Sequence, residues 1–428
     1  MTTTPRRDAL ARAAIDLTPL RHADFRRLWA GNAVSFMGFQ LTAVAVPVQV
    51  YDMTGSSFWV GALGLVGLVP LIVFGLWGGA VADAVDRRRL LLAACLLMWA
   101  CTGGLVAQSA LGLDNLPVLF TLVGVQAAGF AVSSSARGAI VPRVLPREKV
   151  AAANTLSFTT ANVGMVVGPL LAALVIGRWS VSAAYGVDAV LFTAVLYAAA
   201  RLPGMPPLGP VSAPGLRSVI DGLAFIATRP VLLLSFVVDI AAMVLAMPKA
   251  LFPAAAADMG GDAAVGWLFA GLGMGAVAVG LVSGWIGRVH RQGVALVASI
   301  VVWGLAVAAA GLADHLAIAV AMLAVAGAAD LVSAVYRQTI LQTYAPDEMR
   351  GRMQGVFIVV VAGGPRLGDV RAGTTAALAG TTVSWVGGGL ACAVVVLLAL
   401  AVPAFRRYDT RDPHADVTSA GDGPGPRR

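Results

Sequence analysis

The sequence predicts an all-α integral membrane fold, with twelve transmembrane helices in two pseudo-symmetric six-helix bundles. Three observations support this prediction: apolar stretches long enough to cross a bilayer, positive charge confined to alternate loops, and matching residues at a fixed spacing. A helix needs roughly 20 apolar residues to span the hydrocarbon core. The stretches that meet this length are residues 28–50, 58–82, 90–111, 116–136, 150–176, 180–200, 231–256, 264–286, 293–312, 316–336, 353–379 and 383–404.

Positive charge indicates the orientation of these helices. Nearly all of the 30 Lys and Arg residues lie before the first helix, in the loops that follow even-numbered helices, or after the last helix. Arg178 is the exception among the loops, and Lys249, Arg366 and Arg371 fall inside predicted helices. Because cytoplasmic loops carry the excess of Lys and Arg, we expect a multi-pass protein of the inner (cytoplasmic) membrane, with both termini in the cytoplasm.

Composition excludes a water-soluble protein. Hydrophobic residues make up 58% of the chain, charged residues 12%, and the mean hydropathy is +0.83. The net charge of +8 is explained by anionic lipid and topology, so we expect a lipid partner and no nucleic acid. The sequence contains neither a G-x-x-x-x-G-K-[ST] phosphate loop nor an H-E-x-x-H helix, and we expect no cofactor, no metal site and no enzyme activity.

A repeat divides the chain into two halves. The matched pairs are Gly79 with Gly280, Arg87 with Arg288, Gly164 with Gly364, and Gly168 with Gly368, at offsets of 201 or 200 residues. Because six helices separate matched positions, the halves share one orientation, an arrangement typical of transporters that rock between two states. We therefore predict a cytoplasmic N-terminal segment (1–27), a first bundle (28–200), a cytoplasmic linker with an amphipathic helix (201–230), a second bundle (231–404) and a disordered cytoplasmic tail (405–428).

The loop between the second and third helices carries the first motif. It reads Gly-Ala-Val-Ala-Asp-Ala-Val-Asp-Arg-Arg-Arg over residues 79–89, in which glycine allows close helix approach and Asp83 is expected to cap the next helix. This motif resembles the signature G-x-x-x-D-[RK]-x-[GD]-R-[RK] of the major facilitator superfamily, although Ala84 replaces the usual basic residue. The resemblance implies a cytoplasmic gate that latches the two halves, formed by Gly79, Asp83, Asp86, Arg87 and Arg88.

Two further motifs bear on transport direction and coupling. Gly164, Gly168 and Pro169 in the fifth helix are similar to the motif G-x-x-x-G-P-x-x-G-G of antiporters, meaning exporters, of this superfamily. The fourth helix keeps Gln126 of the family signature R-x-x-Q-G, but Val125 stands in place of its arginine. Since that arginine is associated with proton coupling in drug antiporters, the resemblance implies that this chain couples differently or not by protons.

Longer stretches are similar to the enterobactin-exporter-like branch of the superfamily. They are residues 137–149, 247–253 and 341–352. Members of this branch export catecholate siderophores, and near relatives export macrolides and other drugs.

Polar and ionisable residues inside the predicted helices are candidates for the substrate and proton pathway, because buried charge in a membrane is costly unless paired or wetted. Arg366 and Asp369, one helical turn apart, are expected to pair directly, while Arg371 needs another partner. Arg337 is expected at the water boundary, and Lys249 either snorkels outward or faces the interior. The candidates are Asp239, Arg366, Asp369, Asp330, Lys249, Arg337, Asn32, Gln126 and Met243.

The leading functional hypothesis is a monomeric secondary exporter that moves a siderophore or a related amphiphilic metabolite by alternating access, driven by proton entry. Asp239 and Asp369 are the candidate proton carriers. A multidrug or macrolide efflux pump is the alternative: an unpaired Asp239 would favour cationic drugs, whereas cations in the cavity would favour an anionic catecholate. A membrane sensor that transports nothing is a remote third possibility.

Overall fold

A computed structural model describes residues 17–206, 216–344 and 350–408, and every regular element within these ranges is a helix. Side-chain surroundings also lie outside the described part at residues 76–84, 147, 151, 216–219, 221–222, 284, 287 and 342–359. The predicted terminal segments and linker therefore fall partly outside it, at residues 1–16, 207–215 and 409–428.

Twelve long helices follow one another along the described chain. The first six are α1 (Ala23–Thr54), α2 (Ser57–Ala84), α3 (Arg87–Ala110), α4 (Leu116–Val144), α5 (Arg147–Arg178) and α6 (Val181–Ala200). The second six are α7 (Pro230–Met259), α8 (Asp262–Leu281), α9 (Gln292–Gly311), α10 (Leu316–Tyr344), α11 (Arg350–Ala379) and α12 (Thr381–Leu397). A linker helix, Leu216–Ala227, lies between the two sets.

Eleven of the described helices are long and apolar enough to cross a membrane. The remaining one, α11, has 30 residues and carries Arg366, Asp369 and Arg371. It packs against α2 and α7, so these charges meet protein groups instead of lipid. The all-α membrane fold predicted from the sequence is confirmed.

Side-chain caps account for several helix starts. Asn115 accepts a hydrogen bond from the Val118 backbone N–H at the start of α4, and Ser180 accepts one from Ala183 at the start of α6, both at 3.1 Å. The cap of α3 is Asp86, which accepts from the Arg89 N–H at 3.1 Å. The expectation that Asp83 caps this helix was wrong, because α2 continues to Ala84 and places Asp83 in its own last turn.

The repeat in the sequence corresponds to a repeated packing contact. A Cβ atom at Gly164 of α5 would lie 2.6 Å from the Phe36 ring of α1, and a Cβ atom at Gly364 of α11 would lie 2.9 Å from Met243 of α7. Gly168 and Gly368 make the next contact along the same helices, against Gln40 of α1 and against Met243 and Met247 of α7 respectively. Helices α5 and α11 therefore use equivalent glycines to approach α1 and α7 closely.

The two bundles meet at the end of the molecule opposite to the termini. We call this the closed end, and the end that holds the linker helix the terminal end. Between α2 and α11, Gly61 lies against the backbone of Asp369, and Gly64 against the backbone of Arg366. Between α5 and α8, Gly266 lies against Pro169 and Ala173. Small residues thus let backbone touch backbone across the closed end.

Helix α7 is broken near the closed end. Its first part ends at Ala246, and a 3-10 turn at Lys249–Leu251 precedes the second part. The last carbonyl groups before such a break have no partner within the helix. Arg371 of α11 donates to the carbonyl oxygens of Val244 (3.1 Å) and Leu245, and also to that of Ser384 (3.0 Å). The partners that Arg371 needs are therefore backbone carbonyls of the broken helix and of α12.

Replacing Arg371 with Met should lower the midpoint of thermal unfolding of the purified protein in detergent. The substitution leaves buried carbonyl oxygens without donors, and each unsatisfied group costs about 1–3 kcal/mol. Arg178→Met is the matched control, because Arg178 is exposed at the end of α5 and its loss should change stability little. Equal midpoints for the two variants would contradict the role assigned to Arg371.

Candidate functional site

Most charged candidates from the sequence lie in the second bundle, on helices that pack against one another. Helix α7 contributes Asp239 and Lys249, α10 contributes Asp330 and Arg337, and α11 contributes Arg366 and Asp369. We refer to these six residues as the charged cluster. A charge in this cluster that a partner within the protein neutralises serves the structure. A charge without such a partner is open to a ligand or a proton.

Arg337 and Asp239 form a buried ion pair that joins α10 to α7. Asp239 is 1% exposed and Arg337 is 7% exposed, and one guanidinium nitrogen, Nη1, binds the Asp239 carboxylate. The other, Nη2, lies 3.7 Å from a carboxylate oxygen of Asp330, whose side chain is 41% exposed. The expectation that Arg337 lies at the water boundary was wrong, because its side chain reaches two carboxylates inside the bundle.

Asp369 lies beside the break in α7. Positive charge near it comes from Lys249, in the turn at that break, and from Arg366 and Arg371 on its own helix. The Lys249 side chain is half-buried, and no described carboxylate forms an ion pair with it. The choice between its two expected placements therefore stays a prediction.

Arg366 binds across the boundary between the bundles. Its guanidinium donates to the carbonyl oxygen of Gly67 in α2 at 3.0 Å. Because Gly67 has no side chain, there is room for the guanidinium beside it. Among the described residues no ion pair joins Arg366 to Asp369, so the direct pair expected from their spacing was wrong. A main-chain acceptor on the facing helix binds this cation instead.

The remaining candidates occupy three different environments. Met243 is buried against Gly364 and Gly368, which is a packing position. Gln126 is buried and donates to the Thr102 hydroxyl at 3.0 Å. Asn32 lines a cavity of about 390 Å³ within the first bundle, close to the terminal end. The structure therefore brings the charged candidates together and leaves the neutral ones apart.

Asp188 of α6 is a polar group to which the sequence assigned no role. It is 1% exposed and accepts a hydrogen bond from the Thr42 hydroxyl of α1 at 2.6 Å. No described cation forms an ion pair with it. Gly38 provides the space for this carboxylate, since a Cβ atom there would collide with Asp188. An acidic residue inside an apolar stretch was the signal that could have found it.

Residues of the predicted gate motif bind within the first bundle. Asp86 also accepts a hydrogen bond from the Met205 N–H at 2.9 Å. Slight burial acts to raise the pKa of Asp86, but the backbone donors of Arg89, Met205 and Arg88 outweigh it and hold the pKa below its usual value. Arg87 donates to the Ala139 carbonyl oxygen at 3.1 Å and Arg88 to that of Ala200 at 2.6 Å.

These contacts tie the loop to the ends of α4 and α6, where carbonyl groups carry partial negative charge. The latch between the two halves stays a prediction. The surroundings of Gly79 and Asp83 lie outside the described residues.

The predicted antiporter motif consists of Gly164, Gly168 and Pro169. These residues form the packing contacts with α1 and α8 given above, and their role in export also stays a prediction.

A family model described as a transmembrane secretion effector matches residues 14–419. The chain belongs to this family of the major facilitator superfamily. The chain is 28% identical over 412 residues to the enterobactin exporter EntS of Shigella boydii serotype 18, covering 93% of this chain and 96% of the relative. It is 29% identical over 413 residues to EntS of Escherichia coli O6:K15:H31, covering 94% and 96%.

Solved structures confirm the fold. The structure superposes on the nucleoside transporter NupG with a TM-score of 0.72 at 14% identity, covering 90% of this chain and 100% of NupG. A bacterial homologue of the human lysosomal transporter Spinster gives a TM-score of 0.68 at 15% identity, covering 92% and 98%. The predicted major facilitator fold and the assignment to a transporter family with exporter relatives are both confirmed.

The Asp239–Arg337 pair should show strong coupling in a double-mutant cycle. Asp239→Leu or Arg337→Met alone breaks a buried ion pair and should destabilise the protein by about 3–5 kcal/mol. The double variant removes both charges, and we expect it to unfold closer to the wild type than either single variant. Midpoints of unfolding in detergent test this. Losses that simply add would mean that the two residues do not interact.

Proposed function

We propose that this protein is a secondary exporter of a siderophore or a related small amphiphilic metabolite, and that proton entry drives it. Similarity along more than nine tenths of the chain to exporters of enterobactin supports this substrate class. The clustering of positive charge at the terminal end supports a cytoplasmic location for that end. Substrate would then enter from the cytoplasm and leave at the closed end.

The observation that carries the proposal is the contrast between the two ends of the molecule. At the closed end, glycines of α2, α5, α8 and α11 bring the bundles into backbone contact. Near the terminal end, the first bundle contains a cavity lined by α1, α3, α4, α5 and α6. This arrangement fits an inward-facing state, and rocking of the bundles about the centre would open the other side.

The charges inside the second bundle favour an anionic substrate. The carboxylate of Asp239 would attract cationic drugs if it were unpaired, but Arg337 neutralises it. Counting Arg371, four cations accompany the three carboxylates in this region. A multidrug pump for cationic compounds is therefore the less supported alternative.

Coupling to protons requires a carboxylate that can be exposed to each side in turn. One proton that enters gains about 2.3 kcal/mol per 100 mV of membrane potential and about 1.4 kcal/mol per pH unit. Asp369 suits this task, because it lies beside the break in α7 and one of its carboxylate oxygens has no hydrogen-bond partner among the described residues. Asp239 remains the second candidate, with release from Arg337 as the step that would free it.

Inverted membrane vesicles that contain the protein should release protons when a catecholate siderophore is added, and transport should collapse when the proton gradient is dissipated. In the Asp239→Asn, Asp369→Asn double variant we expect proton release to fall at least tenfold, because neither residue can carry a proton. Asp314→Asn is the control, since Asp314 is exposed outside the spanning helices. Release at the wild-type level in the double variant would remove both residues from this role.

Alternating access predicts that a larger residue at the closed end shifts the protein toward its outward-open state. A Val side chain at Gly266 collides with Pro169 and Ala173 and should push α5 and α8 apart. A cysteine at Ala263, beside Gly177, should then react faster with a maleimide reagent.

Gly387→Val provides the control for this experiment, because no heavy atom lies within 4 Å of a Cβ at Gly387. Native Cys95, Cys101 and Cys392 are buried. Equal labelling rates in the Gly266→Val and Gly387→Val backgrounds would count against closure at this contact.

A further inference from the structure

The cavity in the first bundle has aromatic walls. Its volume is about 390 Å³, and its lining includes the rings of Trp29, Phe36, Phe39, Phe130 and Phe192. The rings of Phe39 and Phe130 are stacked, with centroids 5.6 Å apart and an interplanar angle of 14°. Phe36 continues this stack against Phe39 at 6.2 Å. A flat aromatic group could extend the same stack.

Arg137 of α4 is the one charged residue among those that line the cavity. Its guanidinium carbon lies 5.9 Å from the centroid of the Phe130 ring. No carboxylate in the described part of the chain forms an ion pair with it. A cation that lacks an acidic partner inside a bundle is unfavourable by itself. The Phe130 ring compensates only part of this charge, and a bound anion would complete the compensation.

Polar atoms around Arg137 are also available to a ligand. The indole Nε1 of Trp29 and the amide oxygen Oδ1 of Asn32 have no hydrogen-bond partner in the described structure. Asn154 and Ser157 of α5 add an amide and a hydroxyl to the lining, and both residues are exposed. Most of these groups can donate hydrogen bonds, as oxygen atoms of an anion require.

We propose that this cavity binds an anionic aromatic group, a phenolate or aryl carboxylate, with Arg137 as its counter-charge. The volume lies near the lower end of the range for small-molecule pockets, roughly 300–1,000 Å³. The cavity therefore takes one aromatic arm of a large amphiphile and not the whole molecule. This inference rests on the proposed export of an amphiphilic metabolite and identifies where its acidic ring binds.

Binding of salicylate to the purified protein in detergent tests the inference without any transport step. Wild-type protein should bind radiolabelled salicylate saturably and the neutral isostere salicylamide more weakly. Arg137→Gln should weaken salicylate binding at least tenfold and abolish the preference over salicylamide, whereas Arg137→Lys should retain part of both. Since Arg137 has no acidic partner to lose, Arg137→Gln should unfold at the same temperature as the wild type or higher.

Arg143→Gln is the matched control, because it removes the same charge from the same helix. Arg143 does not line the cavity, and its guanidinium donates to the Pro206 carbonyl oxygen at 2.9 Å. Equal salicylate affinity in Arg137→Gln and Arg143→Gln, or equal binding of salicylate and salicylamide by the wild type, would overturn the inference. If vesicles fail to export a catecholate while salicylate binding still depends on Arg137, the proposed function fails and the binding site stands.

Discussion

Inside a bilayer no water is available to compensate a polar group, so each buried charge and each free carbonyl must find a partner within the protein. The break in α7 is where this constraint has the largest effect. It exposes carbonyl oxygens of Val244 and Leu245, which Arg371 binds. The same turn carries Lys249 and lies beside Asp369 of α11. One irregularity in the backbone therefore organises charges from α7 and α11.

The two halves share a packing scheme but differ in polarity. Equivalent glycines bring α5 onto α1 and α11 onto α7, while α1 is continuous from Ala23 to Thr54 and α7 is interrupted. An interrupted helix presents unpaired backbone groups to neighbouring side chains, which is how transporters commonly build ion sites. The second bundle is accordingly the one that holds a dense group of charges, and we expect the coupling of transport to reside there.

Much of the fold could be predicted from the sequence, because the bilayer imposes helix length and loop charge on every protein that spans it. The partners of individual residues could not be predicted in this way. Arg337 pairs with Asp239, and Arg366 binds the Gly67 carbonyl oxygen. These residues are far apart in the sequence, and only tertiary packing brings them together. Arg137 could not be identified for a different reason. In the sequence it belongs to a basic stretch between two predicted helices, where positive charge is explained by the orientation of the protein in the membrane. Only the structure shows that it lies two turns inside α4.

Paired and unpaired charges differ in what compensates their burial. A pair such as Asp239 and Arg337 repays part of its desolvation and can persist for structural reasons alone. Arg137 faces the Phe130 ring and has no carboxylate partner in the described structure, so its charge is compensated only in part. A ligand that supplies the missing negative charge would complete the compensation. The first bundle would then recognise the substrate, and the second would couple substrate movement to protons. The anion and the proton would bind to different halves of a protein whose halves rock together.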